Sequence, residues 1–422
     1  VTGPAAGTAG LLGLPGRPGD PLRGAHIVLG VTGSISCYKA VEVASRLVQA
    51  GASVDVAITA HAAEFVTPLT FRSITSREPY GDMWRPHGEY GEAHVELARR
   101  ADLMLIAPAT ASTLARLAHG LADDMVSLTA LATAAPVLVA PAMDGQMWEH
   151  AANQANVATL ADRGVQFIGP VEGRLASGRT GRGRLVEPAE IVDLARARLA
   201  RERGDYLGRK VVVSAGGTRE AIDPVRFVGN RSSGKQGYAI AEAARDRGAE
   251  VVIVSTVALP APVTVRVVTV ESALEMQEAT LAECADADAL VMAGAVADYR
   301  PAQAVAGKIK RGEAGDISID LVENPDIIAS VPVENARAGG LVKVAFAAET
   351  DDLIANAQKK LAKKGAHLIV ANDVSSTDAG FSVDTNRVVI LSDRGERDDL
   401  DLMSKYDVGH AILDRVRTYL EG

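Results

Sequence analysis

Cysteine is scarce: Cys37 and Cys284 are the only two in 422 residues, and they lie far apart. Two widely separated thiols exclude a disulfide framework and fit a reducing compartment, so a cytoplasmic protein is expected. Positive charge is also in short supply, with 44 Lys and Arg against 53 Asp and Glu and a formal net charge of -9. General nucleic-acid binders concentrate cations to neutralise phosphates, so no nucleic-acid partner is expected. An unbroken membrane-spanning run is missing too. The nearest candidate, Met125 to Met143, is divided by Pro136 and Pro141 into a helix end and a short strand. Residues 1–24 are rich in Gly, Pro and Ala, lack a continuous apolar core, and read as a disordered tail rather than a signal peptide.

What is present is ordinary for a globular protein, 47% hydrophobic and 23% charged, and long enough for two or three domains with full cores. Two blocks begin alike, with a β-branched strand, a glycine turn and a helix. In the first, Ala25 to Leu29 leads into Gly30-Val31-Thr32-Gly33-Ser34, a helical stretch Tyr38 to Ala50, and a strand Ser53 to Ile58. Strands at Asp102 to Ala107, Pro136 to Ala140 and Val165 to Ile168 follow, separated by helices at Thr110 to His119 and Asn153 to Arg163. A charged helical run, Glu190 to Arg203, ends the block. The second block restarts at Lys210 with helices at Tyr238 to Arg247, Ser272 to Cys284, Leu353 to Lys364 and Lys405 to Leu420. Its strands are expected at Glu250 to Ser255, Ala289 to Met292, Val342 to Ala347, His367 to Val370 and Arg387 to Ser392. The alternation predicts an α/β protein of two doubly wound, Rossmann-like domains.

Residues Gly229 to Gly237, G-N-R-S-S-G-K-Q-G, nearly spell a P-loop. Gly229, Gly234 and Lys235 meet the spacing, but Gln236 stands where the Mg²⁺-binding hydroxyl belongs. A phosphate site of another kind is expected at the end of the preceding strand, Lys210 to Thr218. A nicotinamide dehydrogenase is disfavoured, because neither block carries G-x-G-x-x-G followed by a ribose-binding acid.

In the first block, three loops after parallel strands converge on one face: Gly33-Ser34-Ile35-Ser36, Pro108 to Thr113, and Pro141 to Trp148. Each turn needs glycine or a cap for purely structural reasons, and each also offers N–H groups or hydroxyls to a phosphate. His94, in A-H-V-E-L-A-R-R-A-D, is either a surface residue at a helix start or an acid, base or orienting group. Cys37 reads as a structural small residue. In the second block, Asp298 follows a strand, and Lys308 and Lys310 alternate across Ile309, so that in an extended segment both point to one side. Lys360, Lys363 and Lys364 end a helix, where the helix dipole alone accounts for them.

The motifs G-S-I-S-C-Y-K-A, H-V-E-L-A-R-R-A-D, A-P-A-T-A-S-T and P-A-M-D-G-Q-M-W together resemble the flavin-dependent cysteine decarboxylases of coenzyme A synthesis. The second block, through G-G-T-R-E, G-N-R-S-S-G-K-Q-G, A-V-A-D-Y-R-P, K-I-K-R, N-P-D-I and F-A-A-E-T, resembles the phosphopantothenate-cysteine ligases. Order and fusion are those of the bacterial bifunctional phosphopantothenoylcysteine decarboxylase/phosphopantothenate-cysteine ligases. The resemblance implies a tail at 1–24, a decarboxylase domain at 25–190, a linker helix at 191–207 and a ligase domain at 208–422. It implies FMN held by Gly33, Ser34, Thr59, Thr110, Ser112 and Met143, with His94 catalytic. The cysteinyl end of the substrate is then oxidised, loses its carboxylate and is reduced again, the cofactor doing the hard step. Where this chain has Asp144 many members carry Asn, and where it has Ser177 many carry a proton-donating Cys. Either another group protonates the intermediate, or decarboxylation is weakened or lost.

The same resemblance implies CTP held by Ala293, Gly294, Asp298, Lys308, Pro325, Asp326, Ile327, Ile328, Phe346, Lys360 and Lys364, accompanied by Mg²⁺. The carboxylate of 4'-phosphopantothenate attacks the α-phosphate, releasing pyrophosphate, and the amine of L-cysteine displaces CMP. Asn230 binds the acyl-cytidylate, and Lys308 stabilises charge during cytidylyl transfer. Ligase dimers and decarboxylase trimers are implied, hence a homo-oligomer. The alternative from a different class is an active ligase fused to a non-catalytic, flavin-binding regulatory domain.

Overall fold

β-branched runs between glycine turns become strands, and small-residue helices cover them, in a computed structural model. It describes residues 17–84, 92–309, 318–337, 339–349, 353–373 and 383–422. The chain divides into two compact units, Val1–Leu199 and Ala200–Gly422.

The first unit opens with β1 (His26–Val31), α1 (Cys37–Gln49), β2 (Ser53–Ile58), α2 (Ala60–Ala63), α3 (Pro68–Thr75) and α4 (Ala93–Arg100). It continues with β3 (Leu103–Ala109), α5 (Ala111–His119), α6 (Met125–Ala132), β4 (Val137–Pro141), α7 (Gly145–Glu149), α8 (Ala151–Asp162) and β5 (Gln166–Phe167). A hairpin, β6 (Val171–Arg174) and β7 (Thr180–Arg184), precedes α9 (Pro188–Arg203). The five main strands run parallel in the order β2-β1-β3-β4-β5. That order reverses beside β1, which is where an open parallel sheet offers a ligand crevice. Helix α1 buries Ala40, Val43, Ala44 and Leu47, the three- and four-residue spacing of one helical face. The uncharged run after Met125 becomes α6, started by an Asp124–Ser127 capping box, and then β4.

Two stretches differ from the sequence expectation. Residues 17–24, expected in the tail, are packed: Leu22 is fully buried, and Asp20 pairs with Arg196 at 2.9 Å. The charged run expected as a linker from residue 191 is packed as well, with Ile191, Val192, Ala195 and Leu199 in the core of the first unit. Its charges do not hold it in solvent because Arg196 is neutralised by Asp20 and by Asp193, all three nearly inaccessible. Composition suggested a tail and a linker, but burial of one complementary triad reverses the outcome.

The second unit contains β8 (Lys210–Ala215), β9 (Arg219–Ala221), β10 (Phe227–Gly229), α10 (Lys235–Asp246), β11 (Glu250–Ser255), β12 (Arg266–Thr269) and α11 (Ala273–Cys284). Next come β13 (Ala289–Met292), β14 (Tyr299–Pro301), β15 (Leu321–Glu323), α12 (Ile327–Ser330), β16 (Val342–Glu349) and α13 (Leu353–Lys364). It ends with β17 (Leu368–Asp373), β18 (Thr385–Ser392), β19 (Arg397–Ser404) and α14 (Lys405–Leu420). The main sheet has the order β12-β11-β8-β13-β16-β17-β18-β19, parallel as far as β17 and antiparallel beyond. Its order reverses beside β8. The near P-loop does not follow β8 directly, because the β9–β10 hairpin intervenes.

Replacing Asp20 with Ala strips Arg196 of one buried partner and should cost the first unit about 3 kcal/mol, the usual penalty for breaking a buried pair. Denaturant unfolding checks this, and an unchanged midpoint would mean that residues 17–24 contribute nothing to that core.

Candidate functional sites

In the first unit, backbone and hydroxyl bonds tie the strand-end loops into one continuous rim. Thr59 N–H donates to Val31 O at 3.0 Å, and the Thr32 hydroxyl donates to Pro108 O at 2.8 Å while accepting from Thr110 N–H at 3.1 Å. Ala142 N–H donates to Ala109 O at 3.0 Å, and Met143 N–H donates to Gly183 O of β7, also at 3.0 Å. Every expected flavin residue therefore lies along this rim: Gly33 and Ser34 after β1, Thr59 after β2, Thr110 and Ser112 after β3, Met143 after β4. Gly33 has a steric reason of its own, since a Cβ there would lie 2.5 Å from the Cβ of His61. Thr59 and Thr110 cap α2 and α5, and the Ser112 hydroxyl accepts from Arg116. Helix α1, by contrast, starts with no side-chain cap, and Ile35 in the turn before it and Tyr38 in its first turn are exposed. In the turn that opens α1, Ser36 N–H donates to the Ser34 hydroxyl at 3.3 Å and Cys37 N–H to Ser34 O at 2.9 Å; a helix start suits a phosphate, and exposed apolar side chains suit an aromatic ring system.

His94 is the second residue of α4 and half-buried. Because α4 feeds into β3, its N-terminal end lies toward the carboxyl edge of the sheet, the same edge as the rim. Its C-terminal end is fixed by Arg100, which pairs with the buried Asp55 of β2 at 3.0 Å and donates to the Tyr80 hydroxyl at 3.2 Å. Asp144 and Ser177, distant in sequence, meet: the Ser177 hydroxyl donates to Asp144 Oδ2 at 2.8 Å. Asp144 also caps α7, accepting from Gln146 N–H at 3.1 Å. The Ser177 hydrogen bond and then the Gln146 amide hold the Asp144 carboxyl below its ordinary range, so it is ionised near neutrality. The β6–β7 hairpin that carries Ser177 was not foreseen. Cys37 donates to Thr32 O at 3.1 Å, and burial pushes its thiol up, as suits a structural residue.

The second unit holds a cavity of about 920 Å³ at the carboxyl ends of β13, β16 and β17, walled by the loop that opens α10. Of the expected residues, Asn230, Ala293, Gly294, Asp298, Pro325, Asp326, Ile327, Ile328, Phe346, Lys360 and Lys364 line it. Asn230 Nδ2 donates to Val296 O at 2.9 Å, and Gly294 N–H donates to the Ser214 hydroxyl at 2.9 Å. Asp326 caps α12 and pairs with Lys364 at 2.9 Å. Beneath α12, the buried Lys343 ammonium donates to Ile328 O and Val331 O at 3.1 Å, and burial lowers its pKa. Lys308 does not line this cavity; it is exposed, next to Ile309, whose N–H donates to Asp223 at 3.2 Å. Lys310 and Arg311 lie outside the described residues.

The near P-loop glycines have packing roles. Gly234, at φ +75, caps α10, and a Cβ there would meet Val257 at 2.5 Å. A Cβ on Gly237 would lie 2.7 Å from both Ala215 Cβ and Ser214 O, so this glycine lets α10 rest directly on β8. Lining residues that sequence reasoning missed include Asn372, Asn386 and Lys405, which come from β17, β18 and α14 and share no motif spacing with the others. Among the described residues, no group of three or more His, Cys, Asp or Glu is gathered to hold a metal, and no helix is long and apolar enough to cross a membrane.

Comparison with known proteins follows the same division. The Flavoprotein family model matches residues 16–200, and the model for the DNA/pantothenate metabolism flavoprotein C-terminal domain matches 206–420. The coenzyme A biosynthesis bifunctional protein CoaBC of Vibrio vulnificus strain YJ016 is 42% identical over 401 residues, covering 94% of this chain and 99% of its own. The protein so described from Bacillus subtilis strain 168 is 43% identical over 398 residues, covering 94% and 97%. A crystal structure of the C-terminal domain of a CoaBC protein is 38% identical, with a TM-score of 0.43, covering 51% of this chain and 97% of its own.

Gly237→Ala should destabilise the second unit by about 1–3 kcal/mol, as overpacking at a closed contact does. Denaturant unfolding decides the matter; wild-type stability in the variant would assign that glycine to ligand approach instead of helix–strand packing.

Proposed function

This chain belongs to the family of coenzyme A biosynthesis bifunctional proteins, and from that premise we propose how its residues divide the work. It is a flavoprotein enzyme that joins ligase and decarboxylase activities, with FMN as the cofactor of the first unit. The observation that carries the ligase assignment is the cavity beside β8, where Asn230, Asp298, Phe346 and three helix-end lysines face one space. There CTP and the carboxylate of 4'-phosphopantothenate react to give an acyl-cytidylate and pyrophosphate, and the amine of L-cysteine then displaces CMP. Lysine charge would offset the triphosphate, and Asp298 and Glu323 are the lining carboxylates that could accompany Mg²⁺ on it, Asp326 being paired with Lys364. Asn230, anchored on Val296 O, holds the acyl intermediate.

In the first unit, FMN supplies two-electron oxidation and reduction when bound. The N–H groups opening α1, with Ser34, hold its phosphate, and Gly33, Thr59, Thr110, Ser112 and Met143 shape the rim around it. His94 orients the cysteinyl end or moves its proton. The Asp144–Ser177 pair offers a carboxylate with a hydroxyl locked to it, so this chain lacks a thiol donor at that point. A homo-oligomer and a cytoplasmic location complete the proposal.

Purified protein should be yellow with a flavin spectrum and should convert 4'-phosphopantothenate, cysteine and CTP with Mg²⁺ to 4'-phosphopantetheine, detected by mass. Accumulation of phosphopantothenoylcysteine alone would favour the non-catalytic flavin domain. Lys360→Gln, at the cavity lining, should lower ligation about a hundredfold or more while leaving flavin bound, the usual scale for losing one transition-state charge contact. Ligation at the wild-type rate would place the nucleotide site elsewhere. His94→Asn should spare ligation and cut decarboxylation about a hundredfold or more; equal loss of both activities would point to a folding role.

A further inference from the structure

Lys343, the second residue of β16, is 4% exposed. Strand alternation puts it on the same face as Leu341, Ala345 and Ala347, which belong to an apolar cluster that also holds Ile327, Ile328 and Val331. Its ammonium donates to Ile328 O and Val331 O, each at 3.1 Å. The carboxylate that acts on it electrostatically, Asp326, is itself paired with Lys364. Two carbonyl oxygens are therefore the partners of this ammonium among the described residues.

Helix α12 is only four residues long, too short to satisfy its own carbonyls. Ser330 N–H donates to Asp326 O at 3.0 Å and the Ser330 hydroxyl to Ile327 O at 2.7 Å, whereas Ile328 O, and Val331 O just beyond the helix, go to Lys343. The chain leading into α12 is tied as well, because Asn324 N–H donates to Asp298 O and Asn324 Nδ2 to Ala297 O, both at 2.8 Å. Residues 324–328 line the cavity, yet Ile327 and Ile328 are 2% and 3% exposed, so these two offer a ligand mostly backbone. Backbone groups bind a ligand only as precisely as their support holds them. Methionine at 343 would fill the same apolar space without desolvating a charge. What lysine adds is a grip on two carbonyls.

We propose that Lys343 is a positioning residue of the ligase: it touches neither CTP nor the acid, and by holding the carbonyls of Ile328 and Val331 it fixes the backbone of residues 324–328 against which the nucleotide binds. Affinity for CTP then depends on a side chain that is not itself part of the cavity lining. This rests on the nucleotide reading given above. The effect is confined to the nucleotide, so KM for CTP separates from kcat and from the KM values of the acid and of cysteine.

Steady-state ligation by wild type and Lys343→Met, with CTP, 4'-phosphopantothenate and cysteine varied in turn, tests the assignment. KM for CTP should rise about tenfold or more, the scale of one lost hydrogen bond to a charged group. The other two KM values and kcat should stay at their wild-type levels. Because KM does not depend on how much of the enzyme is folded, a destabilised preparation still decides. An unchanged KM for CTP would overturn the proposal, as would equal rises in all three KM values or a fall in kcat alone. If Lys343→Met gives no folded protein, Lys343→Gln decides alone: its amide nitrogen falls one bond short of the ammonium and cannot serve both carbonyls, so KM for CTP should again rise, and an unchanged value would refute the role. Absence of CTP-dependent ligation by the wild type would refute the functional reading itself, whereas wild-type kinetics in the variants would refute only the part given to Lys343.

Discussion

Buried hydroxyls at the carboxyl end of a central strand hold the crevice edge of each sheet in shape. In the first unit the hydroxyl is that of Thr32, which joins the loop after β1 to Pro108 and Thr110 after β3. In the second, the Ser214 hydroxyl accepts from Gly294 N–H, and the Thr218 hydroxyl accepts from Ala297 N–H, joining the loop after β8 to that after β13. All three side chains are essentially inaccessible. A doubly wound sheet opens a crevice where its order reverses, and without a cross-link the two loops bordering that crevice would be free to part. One buried hydroxyl bonded on both sides costs little and fixes their separation.

From that constraint follows a division between groups that build an edge and groups that face a ligand. Thr59 and Thr110 spend their hydroxyls on helix caps, so what they give the rim is shape. Gly234 and Gly237 are required by the closeness of α10 to Val257 and β8, which accounts for the P-loop-like spacing without a P-loop's metal chemistry. The missing hydroxyl at Gln236 is then no defect: Gln236 ties β18 to α14. Asp144 belongs to both groups, capping α7 and holding Ser177.

Strands with β-branched runs and helices with repeating small apolar residues were legible in the sequence, to within a few residues at most ends. The β6–β7 hairpin was not, because its Gly and Arg residues have little strand preference and it is held by packing on the loop of Met143 to Gly145. Strand β19, rich in Asp and Arg, sits at the sheet edge with largely exposed side chains and carries no apolar signature. Residues 17–24 were misjudged because the partner that buries Asp20, Arg196, lies in a distant helix. Many residues lining the second-unit cavity belong to motifs visible in the sequence, whereas Asn372, Asn386 and Lys405 become neighbours only when the antiparallel end of the sheet folds back.

The central claim is that one chain performs two consecutive reactions at two separate sites, only one of which uses CTP. Supplying the full-length protein with phosphopantothenoylcysteine and no CTP, and following products by mass, tests it most directly. The account predicts release of CO₂ and formation of 4'-phosphopantetheine, together with strict dependence on CTP when 4'-phosphopantothenate and cysteine are supplied instead. Unchanged phosphopantothenoylcysteine in a flavin-loaded sample, or ligation without any nucleotide, would contradict it.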